Sequence, residues 1–147
     1  MDNHCKKIPD ISWIGCMHEG VPIASENLDA CINFYTEVLG LKLLSRPEAI
    51  AELGQGAWLT DENETIQFHL IVKDDASMPD KDVKIDIQSR HTSWRVKSID
   101  AFRDRLNMLG VEFKEMGNLL GTPQIFVIDP QGFTWEFQGS DTAHGVV

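Results

Sequence analysis

Two stretches of this chain carry apolar residues at the same helical spacing. In LDACINFYTEVLG, Leu28, Cys31, Tyr35 and Val38 recur at steps of three, four and three. In IDAFRDRLNMLG, Ile99, Phe102, Leu106 and Leu109 recur at the same steps. This spacing lines one side of a helix with apolar side chains and predicts a helix of about three turns in each stretch. Ser25 or Asn27 is placed to cap the first helix, and Ser98 the second, through side-chain oxygens that accept free amide hydrogens. Gly40 and Gly110 follow the last apolar positions, where a left-handed C-terminal cap suits glycine. The chain is an internal repeat.

Strands flank each helix. Residues 13–23 precede the first and residues 91–97 the second, while residues 41–45 and 111–114 follow the two glycines. Each copy then ends in a hairpin. In the first, 57–60 leads through Asp61-Glu62-Asn63-Glu64 to 65–72; in the second, 124–128 leads through Asp129-Pro130-Gln131-Gly132 to 133–138. Asp-Pro-x-Gly is a strong turn signal, because proline presets φ and glycine accepts positive φ. The reading is an α+β domain over residues 1–147, made of two βαβββ modules at 13–72 and 90–139. The polar stretch 73–89 is the linker.

Alternation along the strands separates two faces. Ile66, Phe68 and Leu70 oppose Gln67, His69 and Ile71; Thr92, Trp94 and Val96 oppose His91, Ser93 and Arg95. Phe133, Trp135 and Phe137 oppose Thr134, Glu136 and Gln138, and Met17, Glu19, Val21 and Ile23 oppose His18, Gly20 and Pro22. The apolar set covers the helices, so Trp13, Trp94 and Trp135 are expected in the core. The other set offers His18, His69, His91 and Glu136, one from each strand that begins or ends a copy. A lone polar residue on such a face is ordinary. Three imidazoles and a carboxylate at corresponding places form a competent donor set for Zn, Ni, Co, Mn or Fe(II).

Composition narrows the partners. A chain of 147 residues with 42% apolar and 24% charged residues suits one globular core. A net charge of −10 with no basic run excludes nucleic acid, since phosphate contacts need a basic face. No apolar run reaches a membrane span, and the first residues lack a secretory signal, so a cytoplasmic protein is expected. Cys5, Cys16 and Cys31 are odd in number without CxxC spacing, which points to buried or idle thiols rather than disulfides or a thiolate zinc site. His4 and His144 lie in the tails and are read as idle. Arg46 and Lys114 are read as surface charges.

The segments FYTEVLGLKLL (34–44), FHLIV (68–72), RHTSWRV (90–96) and IDPQGFTWEF (128–137), in this order, resemble the vicinal oxygen chelate superfamily. That group includes glyoxalase I, extradiol dioxygenases, methylmalonyl-CoA epimerase and the fosfomycin and bleomycin resistance proteins. The resemblance implies eight strands curled into a partly open mixed sheet around a central cavity. It implies a divalent metal held by His18, His69, His91 and Glu136. His91 and Glu136 align without gaps. His69 stands where the family often has Glu, with Gln67 on the same face as an alternative. An ungapped count puts Gly20 rather than His18 at the first position, and two inserted residues restore His18.

The implied chemistry is bidentate chelation of a small oxygenated substrate, with the metal stabilising an enediolate or oxyanion in a lyase or isomerase reaction. Glu136, as the acidic ligand, is the expected general base. Arg95, Gln67 and Trp58 are expected to line the substrate site; Arg95 either binds an anionic group or pairs with Glu136. Pro22 and Lys73 stand where bacterial glyoxalase I holds glutathione with Arg and Asn, which implies a different small substrate. The alternatives implied are an extradiol Fe(II) dioxygenase and a non-enzymatic protein that sequesters a drug between aromatic rings. Family members are often homodimers, some with sites shared between two chains.

Overall fold

Each copy of the repeat closes by pairing its first strand with its last. The computed structural model describes residues 11–80, 82–117 and 121–140. In the first module β1 (Glu19–Ile23) runs parallel to β4 (Gln67–Val72), which pairs antiparallel with β3 (Gly56–Thr60), and β3 with β2 (Lys42–Leu44). The second module repeats this with β5 (Thr92–Val96), β8 (Thr134–Gly139), β7 (Gln124–Ile128) and β6 (Lys114–Met116). The eight strands form two four-stranded sheets, ordered β1-β4-β3-β2 and β5-β8-β7-β6. A parallel pair needs a crossover, and in each module the expected helix supplies it. Among the described residues no helix is long and apolar enough to cross a membrane.

The second helix, α3 (Ile99–Leu109), forms as its sequence dictates. Ser98 Oγ accepts the Ala101 N–H at 3.2 Å, and Gly110 ends the helix at φ +65° with the Val111 N–H donated to the Leu106 carbonyl at 2.9 Å. The first helix departs from expectation. A 3-10 turn (Ser25–Asn27) leads into α1 (Leu28–Asn33), and a widened π turn (Phe34–Val38) follows before Gly40 at φ +74°. The widened turn buries Phe34 and Tyr35 together, two successive side chains that an ideal helix splays apart. Neither Ser25 nor Asn27 provides a side-chain cap. Gln131 of the second module does that work: its Oε1 accepts the Ala24 N–H at 2.7 Å and the Asn27 amide at 3.2 Å. A short helix, α2 (Glu48–Ala51), follows β2 and was not foreseen.

The first strand is also shorter than the pattern suggests. It begins at Glu19, and Trp13 is 88% exposed rather than in the core. The reason is the partner. Glu19 pairs with Phe68, and β4 begins one residue before, where the Asp61 carboxylate turns the chain by accepting the Thr65 and Ile66 N–H groups. Residues 13–17 have no ladder to join.

One core joins the modules. Phe68 packs its ring 5.0 Å from Trp94 and 5.4 Å from Trp135, and Tyr35 lies 6.1 Å from Trp135. Full burial of such a side chain stabilises by about 1.5–3 kcal/mol. Arg105 of α3 donates to the carbonyls of Glu37 and Val38, closing the first helix from the second module. The strand faces segregate as expected: Val21, Ile23, Phe68, Leu70, Trp135 and Phe137 are buried in this core.

Candidate functional site

The second module holds the better-formed half of the candidate site. His91 immediately precedes β5, and Glu136 lies in β8, cross-strand from Phe126 and 6% exposed. His91 Nε2 and Glu136 Oε2 face each other across 2.9 Å. The other ring nitrogen, Nδ1, lies 2.7 Å from the Ser89 carbonyl, an obligate acceptor, and therefore carries the proton of the neutral ring. That leaves a nitrogen lone pair opposed to a carboxylate oxygen. Such a contact requires a positive charge shared between them, a proton or a cation. Gln138 Nε2 donates to the second oxygen, Oε1, at 2.7 Å, and Phe126 sets its edge against the His91 ring at 5.4 Å. No Lys or Arg among the described residues reaches the Glu136 carboxylate.

The first module assembles a different arrangement. His69, in β4, is sandwiched between two rings: Trp58 of β3 at 4.1 Å and 4°, and His18 at 4.1 Å and 15°. Trp58 is its cross-strand neighbour, and Gly20 is its partner across the parallel ladder, yet the His18 ring reaches back to it. Gln67, on the same face, lies with Oε1 3.0 Å from His69 Nε2 and so accepts its proton. Burial, and then the neighbouring His18, hold the His69 imidazole below its ordinary pKa. Parallel imidazoles project their in-plane lone pairs along parallel planes, so in this rotamer His18 and His69 do not converge on one point.

The chain brings the four donors together as two pairs, His18 with His69 and His91 with Glu136. Among the described residues no group of three or more His, Cys, Asp or Glu side chains is set to hold a metal ion. The His91–Glu136 pair suits a divalent ion by its donor chemistry, one imidazole nitrogen and one carboxylate oxygen set side by side. The Ser89 carbonyl on Nδ1 is the kind of outer contact that orients a metal-binding imidazole.

Other assignments change in the folded chain. Arg95 is on the exposed face of β5 and does not pair with Glu136, whose partners are His91 and Gln138. Arg46 is no loose surface charge: its guanidinium clamps the carbonyls of Ile50, Gly54 and Gly56. Among residues that pattern reading passed over, Gln124 stands out. It is 8% exposed and cross-strand from Gln138, and its Nε2 has no hydrogen-bond partner among the described residues. Its alternation with Phe126 in β7 was the available signal. His4, Cys5 and His144 lie outside the described residues; Cys31 is buried, which pushes its thiol up to about 12, and Cys16 is exposed.

Comparison with known proteins gives a consistent result. The model of the glyoxalase/bleomycin resistance protein/dioxygenase superfamily matches residues 12–137. Glyoxylase I 4 of Arabidopsis thaliana is 28% identical over 126 residues, covering 83% of this chain and 70% of the relative. A glyoxalase family protein from Bacillus anthracis superposes with a TM-score of 0.73 at 24% identity, over 89% of this chain and 98% of its own. TnmS3, an antibiotic-binding protein from Streptomyces sp. CB03234, superposes with a TM-score of 0.66 at 19% identity, over 88% of this chain and 98% of its own.

Proposed function

Because the chain belongs to the glyoxalase/bleomycin resistance protein/dioxygenase superfamily, we propose that it is a metal-dependent enzyme of the glyoxalase type acting on a small oxygenated substrate. The observation that carries this reading is the 2.9 Å contact of His91 Nε2 with Glu136 Oε2, with Nδ1 already committed to Ser89. His91 and Glu136 would supply one half of the ligand set, and His18 with His69, after a rotamer change that unstacks their rings, the other. The full set would come from two chains, the first module of one copy facing the second module of another, an arrangement consistent with the separate pairs held by one chain. Ile71, 48% exposed on the same face as His69, suits such a contact.

When bound, a divalent ion there supplies Lewis-acid stabilisation to a developing enediolate or oxyanion. The chain's own part is proton handling. Oε1 of Glu136 is occupied by the Gln138 amide hydrogen at 2.7 Å, which leaves Oε2 to take and return the proton. Phe126, 3% exposed, lies cross-strand from Glu136 with its edge against the His91 ring, an apolar wall beside the pair.

Metal analysis after reconstitution tests the ligand set, and a mixing experiment tests the shared site. One double variant, His18→Ala with His69→Ala, and another, His91→Ala with Glu136→Gln, are each expected to lose bound metal. Unfolded and refolded together, they regain roughly a quarter of the wild-type sites, because half the dimers are mixed and each mixed dimer has one intact site. No recovery would overturn the two-chain site, and wild-type protein that takes up no divalent ion would overturn the enzyme reading.

A second reading, sequestration of a flat ligand, is favoured by the stack of His18, His69 and Trp58. Parallel aromatic rings continue such a stack with any planar molecule. Tight binding of a planar ligand by metal-free protein, with no turnover, would bring this reading forward.

A further inference from the structure

Between the modules lies a cleft that His91 and Ser89 border, while Glu136, His18 and His69 lie outside its lining. Its volume is about 450 Å³, within the range of small-molecule sites. Val21 and Pro22 of β1 form one wall, and Phe133 and Trp135 of the second module the other. Pro79 and Val83 make the roof. Pro79 and Val83 rest on Gly132, so closely that a Cβ there would lie 2.9 Å from Pro79 Cβ and 3.1 Å from Val83 Cγ1. The cleft is therefore built by packing between linker and hairpin.

Two features say what it takes. β1 is an edge strand, and its free edge looks into the cleft, yet Pro22 has no N–H to donate there, which argues against an added strand and for a small molecule. The rim carries Arg90, a guanidinium that makes no ion pair among the described residues. A planar fork with five donors above an apolar hollow matches a carboxylate on an apolar body. Glu19 on the opposite rim is likewise unpaired and works against an anion.

We propose that the cleft beneath the linker is a second ligand site, taking a small amphipathic molecule with an aromatic or branched apolar body and one carboxylate held by Arg90. The site adjoins His91 of the proposed metal pair, but the contacts that would hold this ligand, Arg90 and the apolar walls, do not require a bound ion.

Calorimetric titration of the whole protein, in the presence of a chelator, tests the site with 4-phenylbutyrate, 4-phenylbutan-1-ol and 4-phenylbutylamine. The carboxylate is expected to bind at least about tenfold more tightly than the alcohol and the amine. Arg90→Gln reduces it to the level of the alcohol, Glu19→Gln tightens it, and Val83→Trp, which fills the hollow from its exposed roof, abolishes all three. Preference for the amine, or carboxylate binding indifferent to both Arg90→Gln and Val83→Trp, overturns the proposal. Failure of the wild-type protein to take up metal while the carboxylate still binds counts against the enzyme reading alone. Metal uptake without carboxylate binding counts against the cleft alone.

Discussion

Tyr35, in the widened turn of the first helix, donates its hydroxyl hydrogen to Asp129 Oδ2 in the last hairpin at 2.8 Å, tying the two modules at their buried centre. The Trp135 indole N–H shares the same oxygen at 3.1 Å, and the Gln131 and Phe133 N–H groups hold Oδ1 at 2.9 Å each. Burial raises the Asp129 carboxyl above its ordinary pKa, against these four donors. A carboxyl shifted upward stabilises the fold fully below 3.8, and that contribution is lost as pH rises through the raised value. At neutral pH the charge depends on its donors. Tyr35→Phe is expected to cost about 1–3 kcal/mol. A lowered midpoint in urea at pH 7, with a smaller loss near pH 4, is the expected pattern; equal losses at both would reject the charge argument.

Glu136→Gln should leave the fold intact and remove both divalent-metal binding and turnover. The amide is isosteric but has no charge to share with His91 and cannot take a proton at Oε2. Circular dichroism, metal stoichiometry and activity of the same preparation check this. Undiminished activity would reject the role given to this residue.

Gln138→Leu keeps the ligands and removes only the amide that holds Glu136 Oε1. Loss of such an outer partner weakens metal affinity by roughly 10–100-fold. Competition with a chelator of known affinity measures it, and no change would show that Glu136 is oriented by the strand alone.

His69 should remain neutral to lower pH than a free imidazole, because burial and then His18 disfavour its charge. Its neutral form is the one the fold prefers, so the stability it contributes is present above 6.5 and is lost as pH falls through the lowered value. Titration by NMR is expected to show a midpoint below 6.5, and His18→Ala should move it upward. A midpoint above 6.5 in the unaltered chain would count against the sandwiched geometry.

Gly56→Ala tests how β3 positions Trp58 against His69. A Cβ on Gly56, at φ +156°, would lie 2.2 Å from the Leu70 carbonyl oxygen, which is backbone and cannot step aside. A loss of at least about 2 kcal/mol is expected. Trp58 fluorescence should change as the β3–β4 ladder opens; an unaltered melting temperature would mean the strands shift freely.

What the sequence by itself determined is local or periodic. The spacing of Ile99, Phe102, Leu106 and Leu109 fixes α3, Gly110 ends it, and Asp129-Pro130-Gln131-Gly132 turns the last hairpin, with the Gly132 N–H bonded to the Asp129 carbonyl at 2.9 Å. Strand alternation likewise assigned His69 and Glu136 to the face opposite Phe68 and Trp135, because period two follows from the backbone alone. The tertiary structure decided what depends on residues far apart in the chain. The first helix opens with the Ala24 N–H held by Gln131, 107 positions away, rather than with a cap from Ser25 or Asn27. β1 stops at Glu19 because β4 offers no further partner. The four donors divide into a stacked pair and a hydrogen-bonded pair because each pair belongs to its own module, and pattern along one strand carries no information about how two sheets are set against each other.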